Sequence, residues 1–308
     1  MKMKKFIVTT TINSPTTATK KFVEIAKRDG WTFVVVGDTK TPHSEYEELD
    51  CIYLSPEKQE SLNKELSDSI GWKSIRRRNM GFLYAYQQGA DVMASVDDDN
   101  IPYDTWGKEL YVGKEIEIDL WESKNGYFDP LSPTNTSDLW HRGYPLSLVP
   151  TKNDIEYKGK VKRKVLVQAD LWDGDPDIDA ICRLSKMPCV KYDPISPYGS
   201  NQLSPFNSQN TFIAREVIPY YSMLPFIGRM DDIWAAYVLQ KYFPNSVVYN
   251  KASVYQDRNP QDLIKNMEEE MIGYRNTLSL LEDLDNYENY LPEDTKGSYK
   301  IYRNCFLK

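Results

Sequence analysis

Two compact runs of β-branched and aromatic residues open the chain, and a stretch with helical spacing separates them. The runs are residues 5–11 (KFIVTTT) and 31–37 (WTFVVVG), and the helical spacing lies at residues 22–26. Runs without regular alternation of polar and apolar positions are typical of strands that are covered on both faces. This opening therefore predicts an α/β fold with a mostly parallel sheet flanked by helices.

The next elements continue the alternation of strands and helices. Residues 52–54 predict a third strand, Pro56 begins a polar helix, and residues 74–88 predict a longer helix. Residues 91–96 predict a fourth, buried strand that runs directly into the acidic run Asp97-Asp98-Asp99-Asn100. Open α/β sheets bind ligands at the carboxyl ends of their strands. We therefore expect the ends of the first, second and fourth strands to share one rim.

The acidic run is the strongest candidate for chemistry in this chain. Three successive carboxylates repel one another, and a cation that neutralises them lowers that cost. Oxygen ligands favour Mg²⁺ or Mn²⁺, which bridge to substrate phosphates. We expect Asp99 to bind the metal directly and Asp97 to reach the ribose or a metal-bound water. Asp98 is expected to contact the same phosphate-containing substrate. The alternative is a solvated acidic turn without a ligand.

A basic segment, Arg76-Arg77-Arg78-Asn79, stands at the start of the predicted helix over residues 74–88. Free backbone N–H groups and arginine side chains at a helix start suit phosphate oxygens. Together with the aspartates, this favours a diphosphate contact through Arg78 and Asn79 in preference to Arg76. The alternative is a basic surface turn that pairs with the acidic background.

Two further aspartates, Asp231 and Asp232, begin a helix predicted over residues 231–242. Such residues often only cap a helix. Two carboxylates beside the apolar Trp234 exceed what a cap needs, so one of them is a candidate general base that deprotonates an acceptor hydroxyl.

The middle of the chain, residues 101–215, loses the alternating pattern and suits a surface that binds something polar. Trp172 is followed there by Asp173, Asp175 and Asp177. An aromatic ring beside carboxylates recognises sugars, which favours Trp172 as a donor contact. The alternative, a calcium loop, lacks the EF-hand spacing and its closing glutamate. His141 in the same region is interpreted as structural rather than catalytic.

Charge and composition narrow the partners. Lys and Arg number 38 against 45 Asp and Glu, a net charge of -7 that makes nucleic acid an unfavourable partner. Four scattered cysteines without a Cys-x-x-Cys pair predict no zinc site. Because no long apolar segment is present, we expect no membrane span and a soluble, cytoplasmic protein with reduced thiols. An acidic helix predicted over residues 262–285 would pack within the subunit or against a partner, which leaves a homo-oligomer open.

Several blocks of the sequence resemble known families in their order along the chain. Residues 33–42, 53–57, 77–85 and 97–100 are similar to the STELLO-type glycosyltransferase-like domain. The second half is similar to the related plant reversibly glycosylated polypeptides, which are UDP-arabinopyranose mutases, at residues 142–148, 171–179 and 227–234.

The resemblance implies a GT-A (Rossmann-like) fold, a UDP-sugar donor and Mn²⁺ or Mg²⁺ at the acidic run. It also implies that Asp38 contacts uracil or ribose, with Thr9, Thr10, Thr11 and Lys40 beside it. In the mutases, the arginine that matches Arg142 carries the sugar reversibly. A second arginine of the mutases is Val149 in this chain, which disfavours mutase activity, and no histidine follows His141 to complete the metal site.

These observations predict a metal-dependent glycosyltransferase that transfers sugar from a UDP-sugar to the hydroxyl of a carbohydrate or other acceptor. One alternative is a UDP-sugar mutase that glycosylates itself at Arg142, and another is a non-catalytic nucleotide-sugar-binding or scaffold subunit. We expect one catalytic domain over residues 1–258, in which residues 1–100 bind the nucleotide sugar and residues 101–258 face the acceptor. Residues 259–308 are expected to form a helical extension.

Overall fold

The computed structural model describes residues 3–258 and 260–307. Its strands join in one mixed sheet, in the order β3-β2-β1-β4-β10-β8-β11-β9-β6-β7, and β5 pairs with β11 beside this path. The strands are β1 Lys5–Thr11, β2 Trp31–Gly37, β3 Ile52–Leu54, β4 Val92–Val96, β5 Asn100–Pro102, β6 Glu115–Ser123, β7 Ile155–Lys164, β8 Val167–Gly174, β9 Tyr198–Gly199, β10 Asn210–Ala214 and β11 Val247–Gln256.

Helices cover this sheet. They are α1 Thr17–Asp29, α2 His43–Glu47, α3 Pro56–Leu62, α4 Lys64–Ile70, α5 Arg78–Gln87, α6 Ala180–Lys186, α7 Asp231–Tyr242, α8 Leu263–Glu282 and α9 Glu293–Asn304. Short 3-10 turns include Ile75–Arg77 before α5 and Gly228–Met230 before α7.

The N-terminal part of the sheet is parallel. β1 pairs with β2 and β4, and β2 pairs with β3, all in parallel register. Helix α5 packs closely against this part at Gly81, where an added Cβ would lie 2.4 Å from Cγ1 of Val8. These elements fall where the sequence predicts them, because their apolar residues are local and their ends are marked by residues such as Gly30, which ends α1 in a left-handed conformation.

The second part of the sheet contains both parallel and antiparallel pairs, and its strands have ends on the same rim. β10 runs antiparallel to both β4 and β8, and β8 is parallel to β11. Asn210 at the start of β10 therefore lies opposite Val96 at the end of β4. The carboxyl ends of β4, β8 and β11 consequently meet at one edge, next to the amino end of β10.

The interpretation of residues 101–215 as a polar binding surface is wrong for β8 and β10. Both strands are buried along their whole length. Their sequences contain polar residues that are satisfied by distant partners, as when Asn210 accepts a hydrogen bond from Trp106 Nε1 at 2.9 Å. Because of these polar residues, β8 and β10 could not be recognised as buried strands from their sequences.

No helix within the described ranges 3–258 and 260–307 combines the length and the apolar composition that crossing a bilayer requires.

Candidate active site

Two adjoining clefts open along the rim. The first cleft, of about 370 Å³, is lined at the ends of β1 and β2 and before α5 by residues that include Thr10, Thr11, Asp38, Lys40, Ser74 and Asp98. The second cleft, of about 260 Å³, is lined by residues that include Asp97, Asp99, Arg142, Asp231, Asp232 and Arg258. Ile75 lines both clefts, so they meet at the turn before α5.

The three carboxylates of the acidic run have different partners. Asp97 accepts a hydrogen bond from Arg78 Nη2 at 2.6 Å. Asp98 accepts from Thr11 Oγ1 at 2.5 Å and from Asn13 Nδ2 at 3.0 Å, which ties the run to the end of β1. Asp99 accepts only a long contact of 3.5 Å from Gln256 Nε2 among the described residues. Asp97 and Asp99 line the second cleft, and Asp98 lines the first.

Asp99 is the carboxylate in this run whose charge is least compensated. Burial raises its pKa, the charges of Asp97 and Asp98 raise it further, and Arg258 only partly opposes them. A bound cation would offset this repulsion, and oxygen atoms are suitable ligands for Mg²⁺ or Mn²⁺. Within residues 3–258 and 260–307, no group of three or more His, Cys, Asp or Glu side chains is arranged to hold a metal. A cation at Asp97 and Asp99 would therefore need further oxygen ligands from a phosphate or from water.

Asp38 lines the first cleft, but its oxygens are already used by the backbone. Its Oδ1 accepts from the N–H of Thr39 at 2.6 Å and of Lys73 at 3.0 Å, and its Oδ2 accepts from the N–H of Ser74 at 3.0 Å. Burial opposes ionisation, yet these N–H donors outweigh it and hold the pKa of Asp38 below its usual value. Asp38 thus fixes the loop that leads into the turn shared by the two clefts.

The preference for Arg78 and Asn79 over Arg76 is not supported by the geometry. Arg76 lines the second cleft, whereas Asn79 lies outside both clefts and binds Ser222 and Met223. Arg78 is 1% exposed and lines neither cleft, but it donates to the lining residues Asp97 at 2.6 Å, Thr10 at 3.2 Å and Ser208 at 3.1 Å. The reason is local: a 3-10 turn precedes α5, so the helix starts at Arg78 and its first residues face inward.

Two other predicted donor contacts do not line the clefts. Trp172 is 3% exposed and packs edge-on against His141, so its interpretation as a sugar platform is wrong. Its position on the buried strand β8 accounts for this. Thr9 is 1% exposed beneath the rim, whereas Thr10, Thr11 and Lys40 line the first cleft.

Arg142 is the centre of a buried ion network. Its Nε and Nη2 donate to the two oxygens of Asp177 at 2.9 and 2.8 Å. Its Nη1 donates to Asp232 at 3.0 Å and to the carbonyl of Arg229. Burial opposes the charges, but Arg142 holds the pKa of Asp177 far below its usual value and lowers that of Asp232. Asp232 also accepts from the N–H of Ser208 at 2.9 Å.

Asp231, in contrast, keeps a more basic carboxylate. Burial raises its pKa and neighbouring Asp232 adds to this, although Arg76 opposes both. Arg76 Nε lies 2.9 Å from Asp231 Oδ2. Asp231 and Asp232 stand at the start of α7 as predicted, but their environments differ in this way.

Part of the second cleft was not anticipated from sequence. Ser208 and Gln209 precede β10, and Gln256 and Arg258 come at the end of β11. Helix α8 belongs to the predicted C-terminal extension, yet its Glu269 also lines this cleft. Strand order could have located Ser208, Gln209, Gln256 and Arg258, because they lie next to strand ends on the same rim, but it gives no such signal for Glu269.

No family model matches this chain. Two curated relatives are the probable glycosyltransferases STELLO2 and STELLO1 of Arabidopsis thaliana, 26% identical over 232 residues and 27% identical over 226 residues. The predicted resemblance to STELLO-type proteins is confirmed. Each alignment covers 67% of this chain, and the chain spans 29% of the length of these relatives.

Solved structures are similar at the level of fold. A crystal structure of a mycobacterial protein aligns with a TM-score of 0.50 and 10% identity, covering 91% of this chain and 75% of that chain. Glucosyl-3-phosphoglycerate synthase from Mycobacterium tuberculosis, in complex with phosphoglyceric acid, aligns at 0.48 and 10% identity, covering 91% and 80%. The predicted α/β fold, a sheet flanked by helices, is confirmed.

Proposed function

We propose that this chain is a glycosyltransferase that takes its sugar from a UDP-sugar and uses a divalent cation, Mn²⁺ or Mg²⁺. The observation that carries the proposal is the meeting of two clefts at the acidic run, on the carboxyl edge of the sheet. The resemblance to STELLO-type proteins supports the same reaction class.

In this proposal the first cleft binds the nucleoside. Its walls combine the apolar Val36 and Ile75 with hydroxyl groups of Thr10 and Thr11, which suits a base and a ribose. The ammonium group of Lys40 at this cleft suits the negative charge of the diphosphate. The sugar then extends past Ile75 into the second cleft, toward Asp231.

Asp97 and Asp99 are the residues that would hold the cation, with diphosphate oxygens as further ligands. When bound, such a cation neutralises the charge that develops on the departing diphosphate. The role of the protein is to keep both carboxylates on one wall of the second cleft. Arg78 fixes Asp97, and Thr11 and Asn13 fix Asp98 between them.

Asp231 is the preferred general base for the acceptor hydroxyl. A useful base needs a raised pKa and a lone pair free to take a proton. Asp232 has a lowered pKa and binds Arg142 and Ser208, so it serves to position α7. In the reaction, the acceptor oxygen bonds to the anomeric carbon, its proton passes to Asp231, and UDP leaves with the electrons of the bond that breaks.

The mutase alternative requires Arg142 as a nucleophile. A guanidinium attacks a sugar only through a nitrogen that is not committed elsewhere, but Nε, Nη1 and Nη2 of Arg142 all donate to protein oxygens. Its burial between Asp177 and Asp232 also strongly favours the charged, non-nucleophilic form. These contacts favour transfer to a separate acceptor.

The proposal is tested by calorimetric titration of UDP with Mn²⁺ present or chelated, using the wild type, Asp99→Asn and a control. Asp68→Asn is a matched control because Asp68 is an exposed aspartate outside both clefts. We expect Mn²⁺ to strengthen UDP binding and Asp99→Asn to weaken it at least about tenfold, as loss of one charged ligand implies. Unchanged UDP affinity in Asp99→Asn would refute the proposed site.

A second assay separates the three functional hypotheses. UDP-sugars are incubated with a panel of acceptors, and free UDP and protein-bound labelled sugar are both measured. Acceptor-dependent UDP release supports the transferase, and label on the protein without an acceptor supports the mutase. UDP binding without either product supports a non-catalytic subunit.

A further inference from the structure

Arg258 follows β11 and lines the second cleft with an incompletely bonded guanidinium. Its side chain is only 6% exposed. Its Nε and Nη2 are buried and have no hydrogen-bond partner among residues 3–258 and 260–307. Buried donors without partners are costly, and an arginine always carries its charge. Arg258 therefore has binding capacity that the described protein does not use.

The two unpartnered atoms form a matched pair. Nε–H and Nη2–H of a guanidinium point in parallel, which suits the two oxygens of a carboxylate or phosphate. Arg142 shows this use in the same cleft, since its Nε and Nη2 bind the two oxygens of Asp177. The same edge of Arg258 is thus shaped for a two-oxygen anion.

The charge of Arg258 is only partly neutralised: Asp177 and Asp175 attract the guanidinium, and the charges of Arg183 and Arg229 oppose them. Its Nε lies 3.4 Å from Asp175 Oδ2, without a hydrogen bond, and Asp175 is already in a close ion pair with Arg183. Two guanidinium groups therefore share one carboxylate.

The other arginines that line this cleft each have a nearer carboxylate, at 3.0 Å or less: Arg76 has Asp231, Arg142 has Asp177 and Asp232, and Arg229 has Glu270. Arg258 is consequently the lining arginine best able to receive an external anion.

Arg258 and Asp99 are held near each other by the backbone. The N–H of Asp257 donates to the carbonyl of Asp99 at 3.1 Å, and Gln256 pairs with Asn100 where β11 meets β5. A cation bound at Asp99 would repel the guanidinium of Arg258 unless an anion lay between them. A diphosphate that binds such a cation is an anion of the required kind.

We infer that Arg258 binds the terminal phosphate of the nucleoside diphosphate, donating from Nε and Nη2 to two of its non-bridging oxygens. This assignment rests on the proposed function and adds to it a residue that binds the leaving group. The bonds strengthen as negative charge collects on the diphosphate during transfer, because charge-assisted hydrogen bonds depend on that charge.

The test compares UDP with UMP, which lacks the terminal phosphate. Dissociation constants are measured by calorimetry in Mn²⁺ for the wild type, Arg258→Gln, Arg258→Lys and Arg28→Gln. The Arg28→Gln variant is the control because Arg28 is an arginine paired with Asp29 that does not line the cleft. Thermal unfolding of each variant shows that it is folded.

We expect Arg258→Gln to weaken UDP binding by about 10- to 100-fold and UMP binding by less than about threefold, as the loss of charge-assisted hydrogen bonds implies. Arg258→Lys keeps the charge but loses the parallel pair, so it should recover only part of the UDP affinity. Arg28→Gln should leave the ratio of the two affinities unchanged.

Equal losses for UDP and UMP, no loss for either, or the same ratio change in Arg28→Gln would overturn the inference. If Asp99→Asn weakens UDP binding while Arg258→Gln does not, the proposed function stands and only the role of Arg258 fails. A wild-type protein that binds no uridine nucleotide would defeat both.

Discussion

Replacing Arg142 by methionine should destabilise the protein because it leaves two buried carboxylates without their cation. Arg142 is 5% exposed, and its guanidinium binds Asp177 at 2.8 and 2.9 Å and Asp232 at 3.0 Å. Removing one partner of a buried ion pair costs about 3–5 kcal/mol. With an unfolding entropy of about 2.1 cal/mol/K per residue over 308 residues, that cost lowers the melting temperature by about 5 to 8 °C.

The loss of stability in Arg142→Met should also depend on pH, which gives a second measurement. In the wild type, the depressed pKa of Asp177 contributes stability above its unfolded pKa, and this is lost only as pH falls through the folded pKa. In Arg142→Met, burial without the cation raises the pKa of Asp177 and Asp232, so stability now falls as pH rises. The difference in stability between the wild type and Arg142→Met should therefore be largest at pH about 7.5 and smaller at pH about 5.

Scanning calorimetry of the wild type, Arg142→Met and Lys64→Met measures both effects. Lys64 forms an exposed ion pair with Asp68, and its substitution should leave the melting temperature nearly unchanged. If Arg142→Met melts within about 2 °C of the wild type, or if its loss of stability does not change with pH, Arg142 does not neutralise Asp177 and Asp232 in the folded protein.

Three further predictions concern the base, a glycine and a histidine. Asp231→Asn should lower acceptor-dependent UDP release by about 10²- to 10⁴-fold while UDP affinity, measured in parallel, stays nearly constant; unchanged turnover would exclude Asp231 as the base. Gly143 has φ +81°, and an added Cβ would lie 2.2 Å from Ile233 Cγ2. Gly113 has a similar φ of +84° but open space around it. Gly143→Ala should therefore lower the free energy of unfolding in urea more than Gly113→Ala does. Burial lowers the pKa of His141, so the neutral imidazole contributes stability that is present above the unfolded pKa near 6.5 and is lost below it, by up to about 1.4 kcal/mol per pH unit. The difference in unfolding free energy between the wild type and His141→Gln should therefore become smaller as the pH falls from about 7.5 to about 5.5. A difference that stays constant over this range would contradict the prediction.

The first half of the fold could be predicted because its signals are local. β1 and β2 are dense β-branched runs, and Gly30 marks the end of α1. Helix α7 was likewise predicted with its observed bounds, Asp231–Tyr242. β8 could not be recognised because Gln168 and Asp170 interrupt it, and these polar groups bond to each other and to Asn250, far along the chain.

The site was predictable to the extent that it follows a strand end. The acidic run follows β4 directly, so its position on the rim could be inferred. Whether Arg76 or Arg78 faces the cleft depends on one 3-10 turn, a difference of orientation that residue type does not encode. Arg258 could have been located only from the strand order, because its role arises when β11 is placed beside β8 and β5.

The second cleft contains charged side chains that are paired with each other and charged side chains that are not, and this difference indicates which of them bind a ligand. Arg76, Arg142 and Arg229 each have a carboxylate partner within 3.0 Å, so they set the shape of the cleft and leave little charge for a ligand. Asp99 and Arg258 are linked through adjacent backbone, yet no ion pair within the described residues joins them. Opposite charges that are held close but not paired favour a ligand that carries both signs. A cation bound to a diphosphate has this property, since its positive end suits Asp99 and its phosphate oxygens suit Arg258.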